Sequence, residues 1–138
     1  MNIENLLFKD YKKYIETNSK FEPTILPSSN KDLTKFPTIL FKEQGNIENE
    51  QYTTLNRVEY VDEITLVIEI YSQPKTIGNK KYASKTIVDE LKFLTFDFFR
   101  YMGCTRISCE PAEYYNKEVD RLVIMYNFNI NSWNNKIN

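Results

Sequence analysis

The chain has 138 residues, of which 41% are hydrophobic, so one domain can bury a core without a metal or a disulfide. Its net charge is −1, which argues against a general nucleic-acid-binding protein. The sequence contains no histidine and only three glycines, which stand far apart; histidine-based nucleophilic sites, histidine-ligated zinc and glycine-rich phosphate loops are therefore excluded.

Membrane spans and disulfides are not indicated by the sequence. No apolar run approaches the roughly 20 residues of a membrane-spanning helix, and the first residues lack the basic and apolar regions of a signal peptide. Cys104 and Cys109 flank one predicted strand, where five extended residues span about 16 Å. A disulfide requires Cα atoms within about 7 Å. We therefore expect two unpaired thiols, no cofactor, no membrane partner and a protein that stays in the cytosol where it is made.

The first half of the chain is predicted to hold one helix and up to three strands. Apolar residues spaced by three and four indicate an amphipathic helix over residues 2–18. Residues 19–35, which contain two prolines, are predicted to be an irregular connector. A first strand is expected over 36–43, and a second strand, whose alternation is poor, over 51–61.

The clearest strand is predicted over residues 63–71, where apolar and polar residues alternate. We expect this strand in the middle of the fold, with its opposite face, which carries Glu69 and Tyr71, largely exposed to water. The face that is expected to lie in the core carries Ile64, Leu66, Ile68 and Ile70.

The second half of the chain is predicted to hold a polar loop over 72–83 and a helix over 83–102. Strands over 104–110 and 119–130 follow the helix. The last residues, 131–138, are polar, and we expect them to form a loose tail.

The second predicted helix has a wide apolar stripe. Thr86 and Asp89 resemble a capping box at its beginning. Phe93, Phe96 and Phe99 add more apolar surface than one sheet face needs. We therefore expect this helix to have a second buried surface, such as a contact with another subunit.

These elements predict one domain over residues 1–138 with the order α-β-β-β-α-β-β. Consecutive strands without crossover helices favour antiparallel pairing. The predicted fold class is α+β, a mainly antiparallel sheet with two helices packed on one face.

Charge is distributed unevenly along the chain. From Glu43 to Glu69 there are seven acidic residues and one basic residue, whereas from Lys75 to Lys85 there are four lysines and no acidic residue. One interpretation is two solvated loops. The other is a heterologous contact between copies, which closes a ring when it is repeated head to tail. The residues predicted for that subunit interface are Lys75, Lys80 and Lys81 on one side and Glu43, Glu48 and Glu50 on the other.

No local pattern points to catalysis. Carboxylate pairs in this sequence are adjacent or nearly so, and catalytic pairs are made by the fold rather than by such spacing. We expect a protein that is not an enzyme, with no catalytic, cofactor-binding or metal-binding residues.

The stretch from Phe36 to Phe128, about two-thirds of the chain, resembles the small tail terminator (tail-completion) proteins of tailed bacteriophages. The resemblance lies in the order of the elements. These are a strand at 36–41, Tyr-Thr-Thr at 52–54, Glu59, a strand at 64–72, a helix at 83–99 closing on Gly103, a strand with Arg106 and a strand at 121–128.

The resemblance implies a structural virion protein that forms a hexameric ring on the head-proximal end of the tail tube. Such a ring ends tube growth and joins the tail to the head connector. The implied partners are other copies of the chain, the tail tube protein and the head–tail connector protein. The implied location is the neck of the virion, after assembly in the bacterial host cytoplasm. DNA would pass through the lumen without specific binding.

Two alternatives remain open at this stage. One is another neck component, such as a head-completion or joining protein, which would share this size and composition. The other is a non-viral, monomeric α+β binding module or small enzyme of the bacterium.

Overall fold

The computed structural model describes residues 3–27, 33–44 and 63–129. Two helices and seven strands lie in these ranges. Their bounds are α1 Ile3–Asn18, β1 Thr24–Leu26, β2 Thr38–Gln44, β3 Glu63–Ser72, β4 Lys75–Ile77, β5 Lys80–Tyr82, α2 Ser84–Tyr101, β6 Thr105–Ala112 and β7 Asp120–Asn129.

Five of the strands form the main sheet in the order β1-β2-β3-β7-β6. Strand β1 runs parallel to β2, and the other neighbours are antiparallel. The remaining two strands, β4 and β5, form a separate hairpin. Strand β3 lies between β2 and β7, which confirms its predicted central position.

Both helices pack on one face of this sheet, which confirms the predicted α+β class. The apolar residues predicted on the core face of β3 are all buried there with residues from α1 and α2. At the centre, the Tyr11 ring of α1 lies 5.6 Å from the Phe41 ring and 5.5 Å from the Phe99 ring, measured between centroids. The Tyr11 hydroxyl is 2.8 Å from Thr95 Oγ1, so the one polar atom of this buried ring has a partner. Neither described helix is long and apolar enough to cross a membrane.

Two short segments differ from the prediction. Within the connector predicted over 19–35, Thr24–Leu26 form β1, because Pro23 and Pro27 flank this strand rather than interrupt it. Within the loop predicted over 72–83, β4 and β5 form a hairpin whose two-residue turn begins at Gly78.

The glycine is needed at that turn because its φ is +61°, a value that suits the first turn residue of a tight hairpin. The strand predicted over 51–61 and the tail predicted over 131–138 lie outside the described residues.

Candidate interaction surfaces

The second face of the sheet is not largely exposed to water along β3, which corrects the prediction. Glu69 is only 3% exposed, and Tyr71 is 5% exposed. Alternation along β3 does place both residues on the face away from the helices. They are nevertheless buried, because Lys42 and Arg121 of the neighbouring strands cover Glu69, and the Tyr114 ring, in the connection between β6 and β7, lies 5.1 Å from the Tyr71 ring.

Three side chains converge on the Glu69 carboxylate. Lys42 of β2 places its Nζ 2.6 Å from Oε2. Arg121 of β7 donates to Oε1 from Nη2 at 2.8 Å and from Nε at 3.2 Å. The hydroxyl of Tyr71 also donates to Oε1. Both carboxylate oxygens are therefore satisfied, and the group links the three central strands. We call these four residues the Glu69 cluster.

The surroundings keep Glu69 ionised. Burial alone raises the pKa of Glu69. The hydrogen bonds from Lys42, Tyr71 and Arg121 lower the pKa by more than burial raises it, so the pKa lies below its ordinary value. Burial and the bond to Glu69 raise the pKa of Tyr71, so this phenol stays protonated as a donor. A saturated, ionised carboxylate suits a structural clamp between strands better than a proton-transferring group.

Metal-binding and reactive-thiol sites are not found in the described ranges. No group of three or more potential metal-ligating side chains comes together within residues 3–27, 33–44 and 63–129. Cys104 and Cys109 are both unpaired thiols, as predicted. Burial raises the pKa of Cys104 to about 12 and raises that of Cys109. Neither thiol is a ready nucleophile at neutral pH.

The β4–β5 hairpin carries the three lysines predicted for an interface, and it presents them on different sides. Lys75 pairs with Tyr82 and Ile77 pairs with Lys80 across the hairpin, on the side that packs against Phe21. We call this the inner side. Thr76 and Lys81, which form the remaining cross-strand pair, are both exposed on the outer side.

Lys75 and Lys80 have partners within the same chain. Lys75 Nζ donates to the backbone carbonyl of Phe21 at 2.6 Å. Lys80 Nζ lies 5.1 Å from the centroid of the Tyr82 ring, and the same ring lies 5.0 Å from the Phe21 ring in an edge-on arrangement. The inner side of the hairpin is thus fastened to the segment between α1 and β1.

Of the three acidic residues predicted for the interface, the structure describes Glu43, which lies far from the hairpin. Glu43 pairs with Leu66 near the beginning of β3, whereas the hairpin starts just after Ser72, where β3 ends. Six strand residues separate these points, which corresponds to roughly 20 Å. The structure therefore does not bring Glu43 and the hairpin lysines together within one copy. Glu48 and Glu50 lie outside the described residues.

The wide stripe of α2 is divided between the core and the surface. Phe99 is fully buried in the core. Phe96 is partly buried, and Arg106 of β6 places its Cζ 4.0 Å from the centroid of that ring. Phe93 is 56% exposed, and Ile107 of β6 is 50% exposed. Much of the apolar surface of α2 that exceeds what one sheet face needs is therefore covered within the chain.

Sequence reasoning missed the Glu69 cluster. Its only local signal is a lone acidic residue followed two positions later by an aromatic residue on the same strand face, Glu69 and Tyr71. The partners Lys42 and Arg121 come from other strands, so only the register reveals them.

No protein-family model matches the chain, and no curated protein matches it.

Proposed function

We propose that the protein is a structural component of a tailed-phage neck, a tail terminator. In this role several copies, six in the implied arrangement, form a ring that caps the head-proximal end of the tail tube. The ring ends tube growth and offers the head connector a surface to bind. The resemblance of residues 36–128 to such proteins motivates the proposal, and the α+β fold is compatible with it.

One observation carries the proposal furthest. The β4–β5 hairpin follows the end of β3 at Ser72, whereas Glu43 pairs with Leu66 near the beginning of β3, roughly 20 Å away. A contact between two different ends of identical subunits that forms once per subunit pair is heterologous, and its repetition closes a ring or extends a filament. A two-fold dimer of antiparallel subunits would form the same contact twice, so the mass of the assembly distinguishes it from a ring.

The role is structural rather than enzymatic. The Glu69 cluster holds strands together, and both cysteines are protonated thiols at neutral pH.

Native mass spectrometry together with tube assembly tests this function. Six chains of 16.5 kDa give a ring of about 99 kDa. We expect this species alone or on tubes that are polymerised from the tail tube protein of the same phage. Tubes grown with the protein should be shorter and carry a ring at one end. A strict monomer that leaves tube length unchanged would contradict the proposal and favour a monomeric binding module. A ring that binds connectors but not tube ends would favour another neck component.

A further inference from the structure

Two surfaces of the chain combine exposed apolar side chains with exposed charges of opposite sign. One, the Arg106 surface, consists of Phe93 and Phe96 of α2 with Arg106 and Ile107 of β6. The other, the connection surface, is the segment Glu113–Val119 between β6 and β7. We propose that the Arg106 surface of one copy binds the connection surface of the next copy. The inference rests on the proposed ring and names the residues that hold its subunits together.

The Arg106 surface is continuous because its side chains contact one another. The Phe93 and Phe96 rings lie edge to face, 5.9 Å apart between centroids, and Arg106 Cζ lies 4.0 Å from the centroid of the Phe96 ring. Phe93 nevertheless remains 56% exposed, and Ile107, which follows Arg106, remains 50% exposed. The surface therefore offers apolar area beside a guanidinium group.

The other charges on this part of α2 cancel in pairs. Lys92 lies 3.4 Å from Asp89, and Arg100 lies 3.4 Å from Asp97. Arg106 itself is exposed and takes part in no ion pair within the described ranges. The Arg106 surface therefore has a positive charge that is available to another molecule.

The connection surface presents an exposed tyrosine that is already held in place. Tyr115 is 75% exposed, and its ring lies 4.5 Å from the Tyr114 ring, which in turn lies 5.1 Å from the buried Tyr71 ring. Arg121 Nη1 donates to the backbone carbonyl of Glu113 at 3.0 Å. A partner therefore meets a fixed aromatic side chain, and little conformational entropy remains to be lost on binding. Aromatic residues of this kind supply much of the affinity at protein interfaces.

The connection surface carries the complementary charge. Glu113 and Glu118 are exposed and take part in no ion pair among the described residues, and Lys117 is the one basic residue of the segment. Within one copy, Arg106 lies far from these acids: five residues of β7, roughly 17 Å, separate its register position from that of Ala112, which precedes the connection. Opposite charges that cannot meet within a copy can meet between two copies.

The strand register shows that this contact and the contact between hairpin and Glu43 share one direction. Arg106 of β6 and Glu43 of β2 lie in a single cross-strand row. The connection follows β6 and the hairpin follows Ser72, both at the end of β3. The hairpin is also fastened to Phe21, which precedes β1, the neighbour of β2. One head-to-tail contact therefore suits both pairs of opposite charge, and its repetition is heterologous.

The exposed tyrosine provides the first test. Tyr115→Ala should assemble only at about tenfold higher protein concentration than the wild type, measured by native mass spectrometry. Its thermal stability should stay close to that of the wild type, because the side chain is mostly exposed. The matched control is Tyr101→Ala, which removes a tyrosine of similar exposure, 72%, outside both surfaces. The control should assemble like the wild type.

Two charge reversals provide the second test. Arg106→Glu and Glu113→Lys should each require about threefold higher protein concentration for assembly at low salt, because each places like charges at the contact. Lys9→Glu and Glu16→Lys make the same changes of net charge on the exposed side of α1 and should assemble like the wild type. Circular dichroism and thermal melting confirm that each variant is folded.

Mixing the two reversed variants gives the sharper result. In an alternating ring, Arg106→Glu of one copy meets Glu113→Lys of the next, and the following contact joins the unchanged Arg106 and Glu113. The equimolar mixture should therefore assemble better than either variant alone. Tube capping is measured in the same samples, so rings that close only on tubes are also detected.

The outcomes separate this inference from the proposed function. If the wild type forms rings or caps tubes and folded Tyr115→Ala does so equally well, the assignment of these surfaces is wrong while the ring stands. The assignment is also wrong if Tyr101→Ala loses assembly to the same extent, or if the mixture of reversed variants shows no recovery. If the wild type neither forms rings nor caps tubes, the proposed function and this inference are both overturned.

Discussion

Ile68 and Glu69 are neighbours in β3, and both are almost completely buried, but on opposite faces of the sheet. Ile68 lies under the helices, in an apolar core that depends on area and shape and not on individual partners. Glu69 lies on the other face and is stabilised only because Lys42, Tyr71 and Arg121 reach it from defined positions. One face therefore depends on apolar packing, and the other depends on a particular strand register.

The largest expected effect is in the apolar core. Ile68→Ala removes buried methyl and methylene groups and leaves a cavity, so we expect the free energy of unfolding to fall by about 3 kcal/mol. Urea denaturation measures this change. A loss below about 0.5 kcal/mol would show that this face does not form the core.

The second effect is in the Glu69 cluster. Arg121→Met leaves the buried carboxylate with Lys42 and Tyr71 as its remaining partners, and we expect a loss of about 2 kcal/mol, less than for a fully buried pair because Arg121 is partly exposed. The double variant Glu69→Gln/Arg121→Met should lose less than the sum of the two single variants. Additive losses would show that the two side chains do not interact.

The pH dependence of stability should distinguish the two faces further. Because the folded state lowers the pKa of Glu69, the unfolded chain binds its proton more readily. This contribution to stability is present above the ordinary carboxyl pKa and is lost as the pH falls through the lowered value. Urea denaturation between pH 6 and pH 3 should show a steeper loss for the wild type than for Glu69→Gln. Equal slopes would contradict a stabilising role for the ionised carboxylate of the Glu69 cluster. Ile68→Ala should leave the wild-type slope unchanged.

The smallest expected changes in stability are in the hairpin, where Lys75 and Lys81 lie on opposite sides. Lys75→Met removes the hydrogen bond to the Phe21 carbonyl and should cost about 1 kcal/mol. The matched change Lys81→Met, on the outer side, should alter stability by less than about 0.5 kcal/mol. Thermal melting of both variants measures the difference. Equal losses would mean that Lys81 also has a structural role within the copy.

The sequence predicted the apolar face of β3 because that face follows from local alternation alone. Burial of Glu69 was missed because it depends on residues 27 positions before it and 52 positions after it in the chain, Lys42 and Arg121, and no local pattern encodes that register. The opposite environments of Lys75 and Lys81 were missed for a related reason. Their segment was predicted to be a loop, so no alternation was applied to it.

The beginning of α2 shows a limit of local signals. Thr86 and Asp89 matched a capping box, but the helix begins at Ser84 and has no side-chain cap at Ala83. The helix begins one residue from the beginning predicted at 83, so its extent followed from the apolar periodicity that buries Ile87 and Leu91 and not from the capping signal.

Zero-length carbodiimide cross-linking of assembled rings made from mixed ¹⁴N- and ¹⁵N-labelled chains tests the head-to-tail contact most directly. Within one copy Lys81 lies in the hairpin that follows the end of β3, and Glu43 pairs near the beginning of β3, roughly 20 Å away, so an amide between them must join two copies. We predict a Lys81–Glu43 cross-linked peptide in which the two halves carry different isotopes in about half of the molecules. Mixed-isotope cross-links that join other surfaces while Lys81 and Glu43 remain unlinked would contradict the account.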